Sequence, residues 1–339
     1  MLREALEFLV SPCCRRELSL AAGPGKSSDI DVDEGTLTCP CGRIYPIVHG
    51  IPVLIREETL SDPVFENNRK TWNALWKKTR DMASTFFTSG EMFRYDFQCD
   101  NSIATGAVVF EAGVGQGKYV SYLRDASPAW LIGVDAAEYL HEIWDNLKSG
   151  PRFSCKICLV RADLNDLPIR SGKFDYVIAS RVLHHLPRMD KSLSDLLSLL
   201  KPKGKMLAVV YAAGGSFRHV IDAVERIKKI LNVLCSLDQM YVISFFVSAV
   251  IYAVILLFYV PLGRFLSVRR LLPLGDVMLF WKKIGFRGFW KYIVFDILVA
   301  PETRYTVEED LKKILSNLPV SRRSYRRQHE AMWSIELER

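Results

Sequence analysis

The first residues of the chain lack what a secretory signal peptide needs. Arg3, Glu4 and Glu7 place charge where an apolar core would lie, and no cleavage site of small residues follows. We therefore expect a chain of the reducing cytoplasm, where clustered cysteines more often hold metal than form disulfides. The sequence also lacks a convincing internal repeat and any long low-complexity tract. Its 49% of hydrophobic residues excludes wholesale disorder.

The chain has little excess charge of either sign. Its 45 Lys and Arg against 38 Asp and Glu give a formal net charge of +7. An excess of this size suits a basic face toward phosphate or an anionic membrane. It is too small to indicate nucleic-acid binding, and the basic residues flank apolar runs instead of alternating with aromatic ones. We therefore do not expect nucleic acid as a partner.

Short apolar runs alternate with amphipathic stretches between Ala107 and Ala213. The runs AVVFEAG, WLIGVDA, FDYVIAS and KMLAVVY each suit a buried parallel strand, and stretches such as GKYVSYLRDA suit helices. Strands that alternate with helices predict an α/β fold with a doubly wound, mostly parallel sheet. Later in the chain, Thr306 and Glu309 have the spacing of a capping box, which predicts a helix start.

Three glycines follow the first of these strands. Gly113, Gly115 and Gly117 lie between VVFEA and a helix, and glycine lets the backbone turn tightly and approach a ligand. A dinucleotide site uses the spacing G-x-G-x-x-G, whereas this turn reads E-x-G-x-G-x-G, with Glu111 before the first glycine. That carboxylate would repel a pyrophosphate but could help to hold a cationic amino-acid group.

Two more acidic residues follow strands of the same predicted sheet. Asp135 ends the run WLIGVD, where a carboxylate can accept hydrogen bonds from two ribose hydroxyls. Asp163 lies just past a short predicted strand, and the residues around it could bracket an adenine ring.

The stretch from Val108 to about Val210 resembles the class I, Rossmann-like S-adenosylmethionine-dependent methyltransferases, in the group that includes the quinone methyltransferases. The phrase FDYVIASRVLHHLP resembles the fourth-strand motif of that family. The resemblance implies a sheet with two more strands after the fifth, for which PVSRRSYRR and MWSIELER are the candidates. It also implies an enzyme whose cofactor is S-adenosylmethionine.

The same resemblance gives each motif a role in cofactor binding. The position of Gly113 to Gly117 wraps the methionine part, that of Asp135 holds the ribose, and that of Asp163, with the backbone of Leu164, reads the adenine. The expected cofactor-binding residues are Glu111, Gly113, Gly115, Gly117, Asp135, Ala136, Asp163, Leu164 and Ser180.

Two adjacent histidines follow the fourth strand. Methyl transfer from a sulfonium is an in-line displacement, so the enzyme mainly aligns the reactants, although an oxygen acceptor also benefits from a base. A histidine pKa of about 6.5 suits that role. We expect His185, which matches the more regular His of the family motif, or else His184, to be catalytic. The other would be a packed loop residue, and a carbon or sulfur acceptor would need neither.

Four cysteines are crowded before Pro46. Their context, LVSPCCRREL and then GTLTCPCGRIYPIVHGIPVLI, resembles a zinc-ribbon-like module found before many bacterial methyltransferases, related to the activator subunit of tRNA and protein methyltransferases. Both knuckles depart from the usual form, since the first lacks its leading Cys and the second is one residue shorter. Two interpretations stay open, a decayed module without metal or a structural zinc site. The zinc ligands would be Cys13, Cys14, Cys39 and Cys41.

The run from Met240 to Val260 contains no charged residue. A membrane-spanning helix needs about 20 such residues. Because two sheet strands are expected beyond the run, the chain must return to the side where it began. The run would then lie on a membrane, re-enter it or form one arm of a hairpin. The alternatives are a buried cap over the active site and a homodimer face. The basic residues that flank the run are Arg226, Lys228, Lys229, Arg264, Arg269 and Arg270.

These observations predict five regions. Residues 1–58 form the cysteine module, 59–105 a helical linker, 106–213 the cofactor-binding core, 214–300 the apolar insertion, and 301–339 the last helix and strands. We predict a methyltransferase that acts on a membrane-associated or lipophilic acceptor (a lipid, a quinone-like ring or a lipid-linked glycan) and is peripheral or monotopic on the cytoplasmic side of a membrane. The alternative is a soluble small-molecule O-methyltransferase whose insertion is a cap or a dimer face. A homo-oligomer is compatible with either of these two functions.

Overall fold

The computed structural model describes residues 1–23, 31–80, 89–149, 154–213, 218–265, 275–301, 303–328 and 331–339. Within these residues eleven strands form one sheet, in the order β1-β2-β3-β4-β7-β6-β5-β8-β9-β11-β10. The strands are β1 Ser19–Ala22, β2 Gly35–Thr38, β3 Ile44–Val48, β4 Ile51–Leu54, β5 Val108–Ala112, β6 Trp130–Asp135, β7 Lys156–Ala162, β8 Phe174–Ser180, β9 Leu200–Tyr211, β10 Arg322–Gln328 and β11 Met332–Glu338.

The centre of the sheet is parallel from β7 through β9. These strands are nearly continuous runs of apolar residues because helices cover both faces, and Val109, Phe110 and Val177 have no exposed surface. Strand β11 lies antiparallel between β9 and β10, with Ile335 opposite Ala208. The predicted doubly wound, mostly parallel α/β sheet is therefore confirmed, and both C-terminal candidates are strands of it.

The N-terminal strands join this sheet instead of forming a separate one. Strands β1 to β4 make an antiparallel meander, and β4 then pairs in parallel with β7, Val53 opposite Arg161. Phe8 packs edge-on against Trp130 with ring centroids 5.1 Å apart. The cysteine module therefore shares one hydrophobic core with the central strands.

The helices cover the sheet or form a separate layer beside it. Trp72 and Trp76 stack with centroids 5.3 Å apart, on one helix face as their spacing predicts. The α-helices of the described residues are α1 Glu57–Leu60, α2 Pro63–Thr79, α3 Ser89–Phe97, α4 Lys118–Arg124, α5 Leu140–Ser149, α6 Met189–Ser198, α7 Arg218–Leu234, α8 Leu237–Val254, α9 Val260–Leu262, α10 Gly275–Gly288, α11 Asp296–Val299 and α12 Glu308–Ser316. Short 3₁₀ turns lie at Arg3–Phe8, Asn101–Ala104 and Leu183–His185.

The predicted capping box at Thr306 is wrong. Helix α12 begins at Glu308, its N-cap residue is Val307, and no side chain caps it. Thr306 is instead tied to the sheet, since its N–H donates to the carbonyl of Tyr211 at 3.0 Å and its carbonyl accepts the indole N–H of Trp333 at 2.8 Å. These bonds hold Thr306 next to β9 and delay the start of the helix.

The apolar run forms one continuous helix, which we call the apolar helix, Leu237–Leu262. It comprises α8, a π-helical stretch Ile255–Tyr259 and α9, and it starts at a capping box between Ser236 and Gln239. With 26 residues and a mean hydropathy of 2.5, it is long and apolar enough to cross a membrane. Only 17% of its most apolar window is buried, whereas the core helix of a soluble protein is mostly buried. A second π-helical stretch, Phe289–Phe295, packs along it.

Candidate active site

The glycine turn after β5 has a backbone that only glycine adopts easily. Gly113, Gly115 and Gly117 have φ angles of 74°, 54° and 74°. A Cβ atom at Gly113 would lie 2.7 Å from Cγ2 of Val182, and one at Gly117 would lie 2.6 Å from Cγ2 of Ile143. The turn therefore needs its glycines both for conformation and for close packing.

Asp135 at the end of β6 holds this turn in place. Its carboxylate accepts the backbone N–H of Gly115 at 2.9 Å and that of Ala137 at 2.8 Å. Burial raises the pKa of Asp135, although these N–H donors oppose the shift. Ala136, which the resemblance also assigns to the cofactor, follows it and is half-buried.

Glu111 lies at the end of β5, beneath the same turn. Its side chain is buried, and within the described parts of the chain its Oε2 atom has no hydrogen-bond partner. Burial, and then the nearby Asp135, raises its pKa well above the ordinary value for glutamate. A cationic group placed here would lower that pKa and supply the missing partner. The position thus fits the ammonium of an amino acid, as the sequence predicts.

Asp163 and Leu164 follow β7 on the other side of the sheet centre. Asp163 accepts the backbone N–H of Asn165 at 2.9 Å, and both Asp163 and Leu164 are half-buried. The segment after them is held by the N-terminal module, because Arg15 donates to the carbonyls of Leu167 and Ile169. A salt bridge from Arg56 to Asp166, at 2.8 Å, adds a second tie.

Ser180 at the end of β8 contacts a residue that the sequence analysis missed. Its hydroxyl donates to Asp96 at 2.9 Å. Asp96 has no exposed surface, forms an ion pair with Arg181 and also accepts the hydroxyl of Tyr119. The backbone carbonyl of Asp96 accepts Ser334 of β11 at 2.6 Å. Asp96 therefore fixes the end of β8 at the sheet edge where ligands of such folds bind.

The two predicted catalytic histidines have different surroundings. His184 is buried, and neither of its ring nitrogens has a partner among the described residues. Burial, and then nearby positive charge, lowers its pKa well below 6.5, so its ring is neutral. Instead of the hydrogen bonds expected of a loop histidine, it stacks on Tyr211, with centroids 4.0 Å apart. His185 is half-buried, and its Nδ1 lies 3.5 Å from Oγ1 of Thr303.

A row of rings leads from the glycine turn past these histidines. Trp76 lies over Gly115, within 3.4 Å of where a Cβ atom would stand. Trp72 stacks on Trp76, and the edge of His185 packs on Trp72 with centroids 4.8 Å apart. His184, Tyr211 and Tyr305 continue the row. These rings form an apolar wall with polar edges beside the turn.

The far end of this wall carries a group of charges that the sequence analysis did not single out as a site. Lys228, predicted to be one of the flanking basic residues, is buried. Its ammonium donates to Glu225 at 3.1 Å, to the carbonyl of Pro301 at 3.2 Å and to Thr303. Asp296 lies in the electrostatic field of Lys228 and Arg181. Burial raises the pKa of Asp296 to about 7 even though both cations act to lower it.

The four clustered cysteines of the N-terminal module come together at one point. The Sγ atom of Cys13 lies 3.0 Å from that of Cys41, and those of Cys14 and Cys39 are also 3.0 Å apart. All four Sγ atoms lie within 4.8 Å of one another. Four thiolates at Zn–S distances of about 2.3 Å stand about 3.8 Å apart in a tetrahedral site, so these sulfurs converge closely enough to surround one zinc ion. The departures from the usual knuckles thus leave a donor set that fits structural zinc.

Matches to known families agree with the glycine turn of the central sheet and with the N-terminal cysteine cluster. Residues 110–208 match the methyltransferase domain family, and residues 3–50 match the Trm112p-like protein family. The chain carries a class I methyltransferase domain. It is an S-adenosylmethionine-dependent domain, and a Trm112p-like module precedes it.

Curated relatives match about a third of the chain. The tRNA (carboxymethyluridine(34)-5-O)-methyltransferase of Mus musculus is 28% identical over 35% of this chain and 17% of its own length. The enzyme of that name from Arabidopsis thaliana is 33% identical over 33% of the chain and 26% of its length. A fatty-acid O-methyltransferase of Mycolicibacterium smegmatis is 32% identical over 35% of the chain and 44% of its length. The chain thus spans less than half of each relative.

Among solved structures, a complex of the Trm112 methyltransferase activator of Haloferax volcanii with a methyltransferase is similar. It is 20% identical, covers 46% of this chain and 66% of that one, and has a TM-score of 0.37.

The expectation that nucleic acid is not a partner is wrong. The charge balance gave no reason to expect nucleic acid, yet two of the relatives are named as tRNA methyltransferases. A net charge averaged over 339 residues fails here because it hides local concentrations of charge. Strand β10, at the edge of the sheet, carries exposed Arg322 and Arg323.

Proposed function

We propose that the chain transfers a methyl group to a lipophilic acceptor while it is bound to a membrane surface. The observation that carries this proposal is the exposed face of the apolar helix. In the described part of the chain, all but three of the exposed large apolar side chains lie between Ile227 and Phe265. An apolar patch of this extent on a folded protein is typical of an interaction surface.

The apolar helix is in contact with the candidate active site. Its inner face packs in a cluster that contains Met240, Phe295 and Leu75 of helix α2. Trp72 and Trp76 border the same cluster, and Trp76 also lies over the glycine turn. An acceptor that enters from a membrane would therefore reach the cofactor along apolar and aromatic surface.

The topology favours a helix that lies on the membrane over one that crosses it. Strand β9 ends at Tyr211, before the helix, and β10 begins at Arg322, after it, yet both belong to one sheet. Exposed basic residues, among them Lys229 and Arg264, lie near the ends of the patch and suit anionic headgroups. Arg269 and Arg270 lie outside the described residues.

Binding to vesicles tests membrane contact. We expect the protein to float with vesicles of equal parts phosphatidylcholine and phosphatidylglycerol. A triple Ser variant of Phe246, Val250 and Leu257, which are at least 63% exposed, should lose binding by at least about 100-fold. The matched control replaces exposed apolar residues outside the patch, by Ile44→Ser, Leu60→Ser and Val64→Ser, and should bind as the unchanged protein does. A protein that forms a dimer in solution and does not float would make the patch a dimer face.

A second candidate acceptor is tRNA, which the names of two relatives support. Strand β10 adds a local reason, since its sequence RRSYRRQ places four arginines around one aromatic residue. Exposed arginines on an edge strand suit phosphate contacts.

One labelling experiment separates the acceptors. Purified protein receives S-adenosylmethionine with a tritiated methyl group, together with a lipid extract, total tRNA or a water-soluble extract from the same cells. We expect label in the lipid fraction, lost in the triple Ser variant of the apolar helix. Label in tRNA alone, with loss in Arg322→Ala/Arg323→Ala, would replace the lipophilic acceptor with tRNA. Label only in the water-soluble fraction would favour a small-molecule enzyme.

A further inference from the structure

The segment that follows the apolar insertion is tied to the loop that carries the two histidines. Arg304 donates its backbone N–H to the carbonyl of His184 at 2.9 Å, and its guanidinium donates to the carbonyl of Leu186 at 2.7 Å. At the loop residue between these two, Oγ1 of Thr303 lies 3.5 Å from Nδ1 of His185. Thr303 is 8% exposed, so its hydroxyl is held within the protein and not by solvent.

The side chain of Lys228 binds the same hydroxyl. Lys228 lies in helix α7, in the first part of the apolar insertion, and is 3% exposed. Its ammonium donates to the carboxylate of Glu225 at 3.1 Å, to the carbonyl of Pro301 at 3.2 Å and to Oγ1 of Thr303 at 3.4 Å. An ammonium has three N–H donors, so these bonds use all of them. The first helix of the apolar insertion and the segment after it therefore meet at Thr303.

The hydrogen bonds of Thr303 determine which nitrogen of His185 carries a proton. A hydroxyl has one hydrogen and two lone pairs. The hydroxyl of Thr303 donates its hydrogen to the carbonyl of Pro301 at 3.1 Å, and Lys228 donates to one of its lone pairs. In the contact with His185 the hydroxyl must then be the acceptor, so Nδ1 carries the hydrogen. The neutral ring therefore has its proton on Nδ1 and its lone pair on Nε2.

His185 also lies beside the glycine turn. Its backbone N–H donates to the carbonyl of Val182 at 3.0 Å, and a Cβ atom at Gly113 would lie 2.7 Å from Cγ2 of Val182. Its ring packs on Trp72 with centroids 4.8 Å apart, and the stacking partner of Trp72 covers the same turn. Two separate sets of contacts thus connect His185 to the turn where the family resemblance places the methionine part of the cofactor.

We propose that Thr303 is the positioning residue of a base, His185, and that the acceptor group is a hydroxyl. This inference rests on the proposed function. The hydroxyl proton passes to Nε2 of His185 as the oxygen bonds to the methyl carbon of S-adenosylmethionine. The bond from that carbon to sulfur breaks with its electron pair on sulfur, and the imidazolium then returns its proton to water. The 3.5 Å contact is long, as catalytic hydrogen bonds often are before the substrate binds.

His184 does not suit the role of base. It is 1% exposed and stacks on Tyr211, so almost none of its ring can meet an acceptor. Its ring packs against that of His185 with centroids 4.2 Å apart. His184 therefore supports the ring of His185 from one side, while Trp72 contacts it as well.

The first test determines the tautomer of His185 without any acceptor. The chain has 6 histidines, so the full-length protein is labelled with ¹⁵N-histidine, and the His185→Gln variant identifies the signals of that ring by their absence. With S-adenosylhomocysteine bound, at about pH 8, above the ordinary histidine range, we expect NMR spectra to show the proton on Nδ1. Thr303→Ser should keep this tautomer. Thr303→Val, which has a similar shape but no hydroxyl, should give a mixture of both tautomers.

The second test measures methyl transfer to the fraction that accepts tritiated methyl groups. We expect His185→Gln to lower kcat by about 10²- to 10⁴-fold and Thr303→Val by about 10²-fold, with KM nearly unchanged. Thr303→Ser should recover most of the loss because it restores the hydroxyl. All of these proteins should bind S-adenosylmethionine with the same affinity by calorimetry. The matched control, Thr105→Val, changes an exposed threonine and should behave as the unchanged protein.

Each test can overturn a separate part of the proposal. A proton on Nε2 in the unchanged protein, or a proton that stays on Nδ1 in Thr303→Val, would overturn the positioning role of Thr303. Normal kcat in His185→Gln would overturn the base, and normal kcat in Thr303→Val would overturn its dependence on Thr303. If the unchanged protein labels no fraction, the proposed function fails and the base fails with it, whereas the NMR spectra still decide the contact between Thr303 and His185.

Discussion

The carboxylate of Asp135 accepts the backbone N–H of Gly115 at 2.9 Å, so the end of β6 fixes the turn that follows its neighbour β5. The same carboxylate occupies the position that the family resemblance gives to the ribose. One side chain therefore shapes the turn and also stands where the resemblance places the contact to the ribose.

Replacement of Asp135 should therefore weaken cofactor binding strongly. Asp135→Ala removes an acceptor of two backbone N–H groups, and hydrogen bonds to a charged group contribute about 1.5–3 kcal/mol each. We expect S-adenosylmethionine to bind about 10- to 100-fold more weakly by calorimetry. Asp145→Ala, which changes an exposed aspartate of helix α5, is the control. Equal affinities in both variants would contradict the ribose position.

The packing of the glycine turn can be separated from its backbone conformation. Gly117 and Gly172 have φ angles of 74° and 71°, but a Cβ atom at Gly172 would have nothing within 4 Å. Both Ala variants should lose about 1–2 kcal/mol of unfolding free energy from the left-handed conformation. Gly117→Ala should lose about 1–3 kcal/mol more, because its methyl group meets Ile143. Urea denaturation measures the difference, and equal losses would mean that the turn has spare room.

The raised pKa of Glu111 predicts how stability depends on pH. An unfolded glutamate titrates at about 4.3, whereas buried Glu111 keeps its proton to higher pH. Between about pH 4.3 and the raised pKa of Glu111, the native state binds more protons than the unfolded state. The contribution of Glu111 to stability therefore falls as pH rises through that window. Urea unfolding at several pH values should show a flatter profile for Glu111→Gln than for the unchanged protein. Glu309→Gln, at an exposed site, should leave the profile unchanged, and equal slopes in all three proteins would refute the shift.

Zinc in the cysteine cluster should contribute to stability. We expect elemental analysis to find about one zinc per chain, and a strong chelator to lower Tm. Cys39→Ser should remove the metal, whereas Cys99→Ser, at a cysteine outside the cluster, should keep it. Loss of zinc should also loosen the Arg15 contacts to the segment after Asp163 and so weaken S-adenosylmethionine binding. A folded protein without zinc would favour the decayed-module interpretation.

Local patterns in the sequence predict the fold well. The central strands of the sheet, the glycine turn and the acids at the strand ends follow from apolar runs and from residues next to one another in the chain. These features can be predicted from a single sequence because strand burial and tight turns depend on residues that are close together in the chain.

The missed site residues depend on contacts between distant segments. Asp96 meets Arg181 across 85 positions, and Lys228 meets Thr303 across 75. Neither pair belongs to a motif, and Lys228 looks in the sequence like one more basic residue beside an apolar run. The capping box failed at Thr306 for the same reason, since a distant strand holds that residue.

The pairing of β4 with β7, and of β11 with β9, has a consequence for synthesis of the chain. Val53 of β4 can pair only after Arg161 of β7 has been synthesised, and Ala208 of β9 only after Ile335 of β11. As the chain leaves the ribosome, β1 to β4 can pair with one another, but the outer edge of β4 must remain without β7 for more than a hundred residues. Strand β9 gains its antiparallel neighbour only after β11, Met332–Glu338, has emerged. Until then its open edges can pair with other chains, so we expect nascent forms of this protein to depend on chaperones more than a protein built from local contacts.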